Sequence, residues 1–270
     1  MAKHVRYSLR LLGAFLLAIS LSNCTTQAQQ RLTSPSDTTA TFSVDGQIAL
    51  NALMALSDGH LQKLADVFTL LATTESVRSG QWDRIRTPLA KAAQLNIPGV
   101  YWFSSPDGTY WTLDSGRISK KLSDRVYFPR LMAGHTIVGE LVVSRSTNRN
   151  TAIIAVPVRG SNNAVLGSLG CSVHLDSLTA LVLSEMGGLN YRMLFYAIDA
   201  KPLGALNSTP SLIFTEPLKI GDPGMQQAFR EILSHQQGVV RYNFQNSRRT
   251  VLYQKSTVTG WWYGFGIKED

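Results

Sequence analysis

Apolar positions along the chain change their period near residue 98. Before it, Leu50, Leu53, Met54, Leu61, Leu64, Val67, Phe68 and Leu71 recur at three- and four-residue intervals, the spacing of one helical face. A helix from Asp45 to about Val77 follows, and at ~1.5 Å per residue it would reach about 50 Å, enough to run beside two stacked modules. Gly59 is its weak point, because an interior glycine costs about 1 kcal/mol against alanine. Ser79-Gly80 ends the pattern, and Trp82 to Gln94 predicts a shorter helix with Pro88 as a kink inside it.

Beyond Pro98 the pattern is that of strands. Val100-Tyr101-Trp102-Phe103 and Thr109-Tyr110-Trp111-Thr112 flank Pro106-Asp107-Gly108, a hairpin signal. A short helical stretch from Ser123 to Met132 precedes strands at Ile137 to Ser144, Thr151 to Arg159 and Val165 to His174. The polar turns between these strands are of hairpin length, which predicts an antiparallel sheet with helices on one side. Asp176 is placed to cap a helix running through Glu185. A smaller second cycle starts with strands at Tyr191 to Ile198 and Leu203 to Leu206. Asp222-Pro223 then reads as a helix start and Gly238 as its stop. Strands at Val239 to Phe244, Thr250 to Lys255 and Trp261 to Ile267 close the chain.

The expected fold class is α+β: a long N-terminal helix bracing two antiparallel-sheet modules, 45–188 and 189–270. With 270 residues, 44% of them apolar, the chain can bury a conventional core for either.

The first residues carry Lys3, Arg6 and Arg10 ahead of the apolar run Leu11 to Leu21. That run is short of the roughly 20 residues needed to cross a bilayer and reads as a signal peptide, 1–23. Leu21-Ser22-Asn23-Cys24 resembles a lipoprotein processing site, although Asn23 stands where a smaller residue is usual; lipidation of Cys24 is the favoured outcome. Cleavage after Thr26-Gln27-Ala28 is the rival and would release a soluble chain. Residues 24–44 then form a flexible tether rich in Thr, Ser and Gln. On either outcome the protein is exported, to the periplasmic side of a bacterial membrane, and holds Cys171 without a second cysteine to bridge.

Charge changes little. Of the formal +8, three positive residues belong to the signal peptide, which leaves +5 from Cys24 onward. Basic residues are scattered, with Lys120-Lys121 and Arg248-Arg249 as the adjacent pairs, so a nucleic-acid partner is not expected. The five histidines lie far apart and give no metal-ligand spacing, and no cofactor is implied. The Gly-x-Ser-x-Gly elbow, His-Glu-x-x-His and phosphate-cradling loops are missing too, which points away from an enzyme. Cys171 falls in a buried strand, as a small apolar group. Trp261-Trp262-Tyr263 reads as core.

The order of these elements resembles the double Cache domain of bacterial chemoreceptors and sensor kinases, over roughly residues 45 to 268. Leu122-Ser123-Asp124-Arg125-Val126-Tyr127-Phe128, Val142-Val143-Ser144-Arg145, Ala155-Val156-Pro157-Val158 and Gly167-Ser168-Leu169-Gly170 are similar to its membrane-distal module. Phe195-Tyr196-Ala197-Ile198-Asp199, Arg249-Thr250-Val251-Leu252-Tyr253 and Thr259-Gly260-Trp261-Trp262-Tyr263 match the membrane-proximal one. The resemblance implies an extracytoplasmic small-molecule sensor whose PAS-like modules bind a ligand. In the amino-acid-binding branch an Arg and an aromatic residue two positions later hold the ligand carboxylate, and Arg125 and Tyr127 fit that pair. Val143, Arg145 and Ser172 stand where that branch has a Tyr and two Asp residues.

Losing both carboxylates removes the attraction for a ligand ammonium, so the expected ligand is a small anionic or neutral organic molecule. Arg125 and Arg145 would contact an anion, with Tyr101, Trp102, Tyr110 and Trp111 as walls. Because strands alternate, about half of those aromatics must face elsewhere. Arg125 also has a plainer reading, as a surface partner of Asp124 or Asp114. The resemblance implies an output domain that this sequence does not contain, so the expected partner is a membrane kinase, a chemoreceptor or a transporter. The membrane itself would be reached through the lipid anchor. Substrate delivery and a structural envelope role are the alternatives.

Overall fold

A computed structural model describes residues 35–269, with side chains from Gly46 onward. The signal peptide, Cys24 and the rival cleavage site lie outside the described residues. Ser43–Asp270 form one compact unit, and apart from the first residues of helix α1 the architecture below is that of this unit.

Helix α1 spans Pro35–Ala72, starting ten residues before the expected Asp45. Part of the expected tether is therefore helical: no glycine or proline interrupts residues 36–45, and proline is tolerated in a first turn. The helix also stops five residues short of Val77. There the Thr73 and Thr74 hydroxyls donate to the carbonyls of Leu70 and Leu71, each at 2.7 Å, ending the backbone ladder from the side chains. Thr74 then caps the one-turn helix α2 (Glu75–Arg78) by accepting from the Val77 amide. α3 (Trp82–Gln94) keeps Pro88 inside it.

The first sheet has the order β3-β2-β1-β6-β5-β4, all antiparallel. Its strands are β1 (Gly99–Ser104), β2 (Tyr110–Thr112), β3 (Gly116–Arg117), β4 (Ile137–Val143), β5 (Asn150–Arg159) and β6 (Val165–His174). The short helix α4 covers only Phe128–Met132. α5 (Leu175–Glu185) begins one residue before Asp176, with His174 at the cap position. Asp176 instead binds the Ser177 amide and pairs with Arg149.

The second sheet has the order β8-β7-β11-β10-β9, again antiparallel. Its strands are β7 (Met193–Ile198), β8 (Gly204–Asn207), β9 (Gln237–Phe244), β10 (Ser247–Lys255) and β11 (Trp262–Glu269). Helix α6 (Pro217–Ile220) and helix α7 (Pro223–Ser234) lie between β8 and β9. Asp222 caps α7 by accepting from the Met225 amide at 2.7 Å. The helix ends at Ser234, not at Gly238, which is a strand residue in β9 directly opposite Tyr253.

Neither sheet has helices on one side only. One continuous core joins α1 to a face of each sheet: Leu53, Leu61, Leu64 and Phe68 share it with Tyr101, Phe103 and Ile154 of the first sheet, Phe195 and Tyr263 of the second, and Trp261 just ahead of β11. The opposite face of the first sheet packs against α4 through Trp102, Tyr110, Tyr127 and Ile153. That of the second packs against α7 through Tyr196, Phe229, Tyr242 and Trp262. Cover on both faces explains why β1, β5 and β7 read as unbroken apolar runs.

Candidate functional site

The outer face of the first sheet carries the candidate site. Strand alternation decides which aromatics reach it. Trp102 on β1 and Tyr110 on β2 point to this face, whereas Tyr101 and Trp111 point to α1. Tyr101 packs edge-on against Phe68 and donates to the Ile97 carbonyl at 2.8 Å; Trp111 stacks on Phe103. Of the four aromatics offered as walls, Trp102 and Tyr110 line the site and Tyr101 and Trp111 do not, the division that alternation requires.

The Trp102 ring lies across β6. Its register partner there is Gly170, and a β-carbon at Gly170 would fall inside the indole. A small residue at that position is what lets the ring lie flat as the floor. Arg125 and Tyr127, from the segment after β3, close the space from above, and Arg145 and Ser172 complete it. On β4 it is Val142, not Val143, that faces the site. A bulge between Val138 and Glu140 shifts the alternation by one.

Both guanidiniums are engaged. Arg125 Nη2 donates to the Val143 carbonyl at 2.8 Å. Arg145 Nη1 donates to the Lys121 carbonyl at 2.6 Å, and its Nη2 donates to Asp124 Oδ2. The ion pair considered for Arg125 is therefore made by Arg145. That contact holds the Asp124 carboxyl below the usual range. Burial pushes the Tyr127 and Tyr110 phenols up, against the opposing pull of Arg125 and Arg145. Both phenols therefore keep their protons and are available as hydrogen-bond donors.

The space so enclosed is only about 10 Å³, about enough for one water molecule. A larger ligand enters only if the Lys121–Arg125 segment moves, and the Arg145 contacts, with the Arg125 bond to Val143, hold that segment to the end of β4. A wider groove of about 670 Å³ lies between the two sheets, open to solvent, with Glu140 paired to Arg130 and Lys201. Cys171 is fully buried and burial drives its thiol well up, which leaves it unreactive. Among the described residues no group of three His, Cys, Asp or Glu side chains could hold a metal ion, and no helix is long and apolar enough to cross a membrane.

Solved structures share this architecture. The ligand-binding domain of the Pseudomonas aeruginosa amino acid chemoreceptor PctB, in complex with L-Arg, superposes with a TM-score of 0.67 at 13% identity, covering 87% of this chain and 97% of that one. The sensor domain of the Vibrio cholerae histidine kinase DctB gives 0.65 at 15%, covering 87% and 99%. The ligand-binding domain of the Pseudomonas fluorescens chemoreceptor CtaA, in complex with L-serine, gives 0.65 at 9%, covering 86% and 98%. No protein-family model and no curated protein matches the sequence. The fold is thus the α+β, Cache/PAS-like architecture of receptor ligand-binding domains.

Proposed function

We propose that the chain is an extracytoplasmic sensor module of double-Cache type that binds a small anionic or neutral organic ligand. The carrying observation is the convergence of Arg125 and Arg145 with the phenols of Tyr110 and Tyr127 above a Trp102 floor. Such a set offers several donors to an oxyanion and no carboxylate within the floor for an ammonium. Binding here would exchange the Arg145 contacts to Lys121 and Asp124 for contacts to ligand, so the loop conformation is the signal and no chemistry is required. Residues 45–188 are the membrane-distal module and 189–270 the membrane-proximal one. Export, with lipidation at Cys24, would hold the protein on the periplasmic face of a membrane, where it would pass its state to a membrane kinase, chemoreceptor or transporter. Labelled palmitate incorporation, lost in Cys24→Ala, tests the anchor.

Calorimetry with purified protein against carboxylates and amino acids tests the ligand class. A carboxylate that binds and weakens at least about tenfold in Arg125→Ala and Arg145→Ala, the loss of a charged hydrogen bond, supports the proposal. Tight amino-acid binding that survives Arg145→Ala overturns it. The small volume of the enclosed space favours one other reading, a structural envelope protein without ligand. Absence of thermal stabilisation across a metabolite panel would select that reading.

A further inference from the structure

The second sheet repeats the floor of the first. Tyr196 on β7 is the register partner of Gly264 on β11, and a β-carbon at Gly264 would strike the Tyr196 ring. An aromatic thus rests on a cross-strand glycine in each module, on corresponding strands. Above the Tyr196 ring is an enclosed space of about 30 Å³, bounded by Tyr242, Arg249, Phe229 and the segment that holds Leu212, Thr215 and Pro217.

Arg249 is the unusual member. It is only 9% exposed, and its Nε has no hydrogen-bond partner. Its guanidinium lies 4.6 Å from the centre of the Phe244 ring, and among the described residues it forms no salt bridge. Burying a cation without a counter-charge is expensive. Tyr242 is its direct cross-strand partner. The Tyr196 hydroxyl faces that of Tyr242, which in turn neighbours Arg249, yet it is buried and no hydrogen bond of good geometry satisfies it. A guanidinium and two phenols in one small chamber supply donors to an oxyanion and no negative charge. Apart from Asn207 and Thr215, the rest of the lining is apolar, including Ile198, Leu206 and Met225.

We infer that the second module holds its own ligand site, for a small carboxylate with a short apolar tail, with Arg249 as counter-ion and Tyr196 and Tyr242 as hydrogen-bond donors. This site is separate from the one built on Arg125 and Arg145 and does not depend on it. A chamber of this size takes the headgroup of a one- to three-carbon acid, and anything longer would have to displace the segment over it.

The test is thermal denaturation of the full chain in sodium formate, acetate, propionate and butyrate, each against sodium chloride at equal ionic strength. The expected result is a saturable rise in Tm with at least one acid and not with chloride. The rise should vanish in Arg249→Met and shift to about tenfold higher concentration in Tyr196→Phe, the loss of one hydrogen bond to a charged group. It should persist in Arg125→Ala and Arg145→Ala. Arg249→Met should fold at least as well as the parent, because it removes an unpaired buried charge; if it does not fold, the Tyr196→Phe shift decides. No acid-specific stabilisation, or stabilisation unchanged in Arg249→Met or in Tyr196→Phe, overturns the inference. Stabilisation lost in the Arg125 and Arg145 variants instead assigns the acid to the first module and also overturns it.

Discussion

Asp58 shows how one residue ties helix to sheet. From α1 its carboxylate accepts from Ser256 Oγ at 2.6 Å, Tyr263 Oη at 2.8 Å and Thr259 Oγ1 at 3.4 Å. Those bonds favour the ionised form, but burial outweighs them and the carboxyl is raised above its ordinary value. The folded chain therefore holds this proton more tightly than the unfolded chain does. The associated stability is complete below the unfolded value near 3.8 and is lost as pH rises through the raised folded value. Asp58→Asn should remove that component, so that its urea midpoint relative to the parent improves as pH rises from the unfolded value near 3.8. Parallel midpoint curves for the two proteins would contradict this. Gly170 gives a second residue-scale test. Gly170→Ala forces the Trp102 ring off β6 and should cost about 1–3 kcal/mol in chemical unfolding, as overpacking does. An unchanged midpoint would mean that the ring does not need the glycine.

At the scale of elements, the bulge in β4 joins the two sheets. Gly139 has φ +87°, and its carbonyl accepts from Trp261 Nε1 at 2.9 Å. A β-carbon there would sit 3.1–3.2 Å from Thr259 and Trp261. Gly139→Ala combines left-handed backbone with that crowding and should cost at least about 1–2 kcal/mol, accompanied by a change in tryptophan emission as Trp261 shifts. No change in either would show that this joint yields freely. Much of this scale was legible in the sequence. The Pro106-Asp107-Gly108 turn, the Pro88-containing helix and β6 stand where the hydrophobic pattern puts them, because turn chemistry and alternation are local. The bulge was not legible: it shows only as a glycine in a strand, yet it moves Val142 rather than Val143 to the site. Alternation likewise separates Trp102 from Tyr101 without saying which of them faces the helix, a choice made by the distant Phe68. Arg249 stands out in the sequence only as half of an adjacent basic pair, although it shares the parity of Val251 and Tyr253 on β10. That parity is the signal of its inward position, set against the rarity of buried arginine.

For the molecule as a whole, the question is whether two sheets with separate outer cores unfold together. Leu61, Leu64 and Phe68 are fully buried in a core that runs along α1 from the first sheet to the second, so neither sheet can lose the helix without exposing the inner face of the other. Cooperativity should follow from that shared surface rather than from the joint at Gly139 alone. Leu61→Ala should then cost about 2–5 kcal/mol, as deletion of a buried leucine side chain does, and lower both modules equally. The measurement uses two reporters, Trp102 in the outer core of the first sheet and Trp262 in that of the second, each followed by fluorescence with the other tryptophan positions replaced by phenylalanine. Coincident urea transitions that move together on Leu61→Ala are expected. Two resolved transitions, or a shift confined to one reporter, would mean that the modules are stabilised separately. In that case a ligand in one could not bias the other through the helix, because a site influences a distant element only when both share a two-state equilibrium.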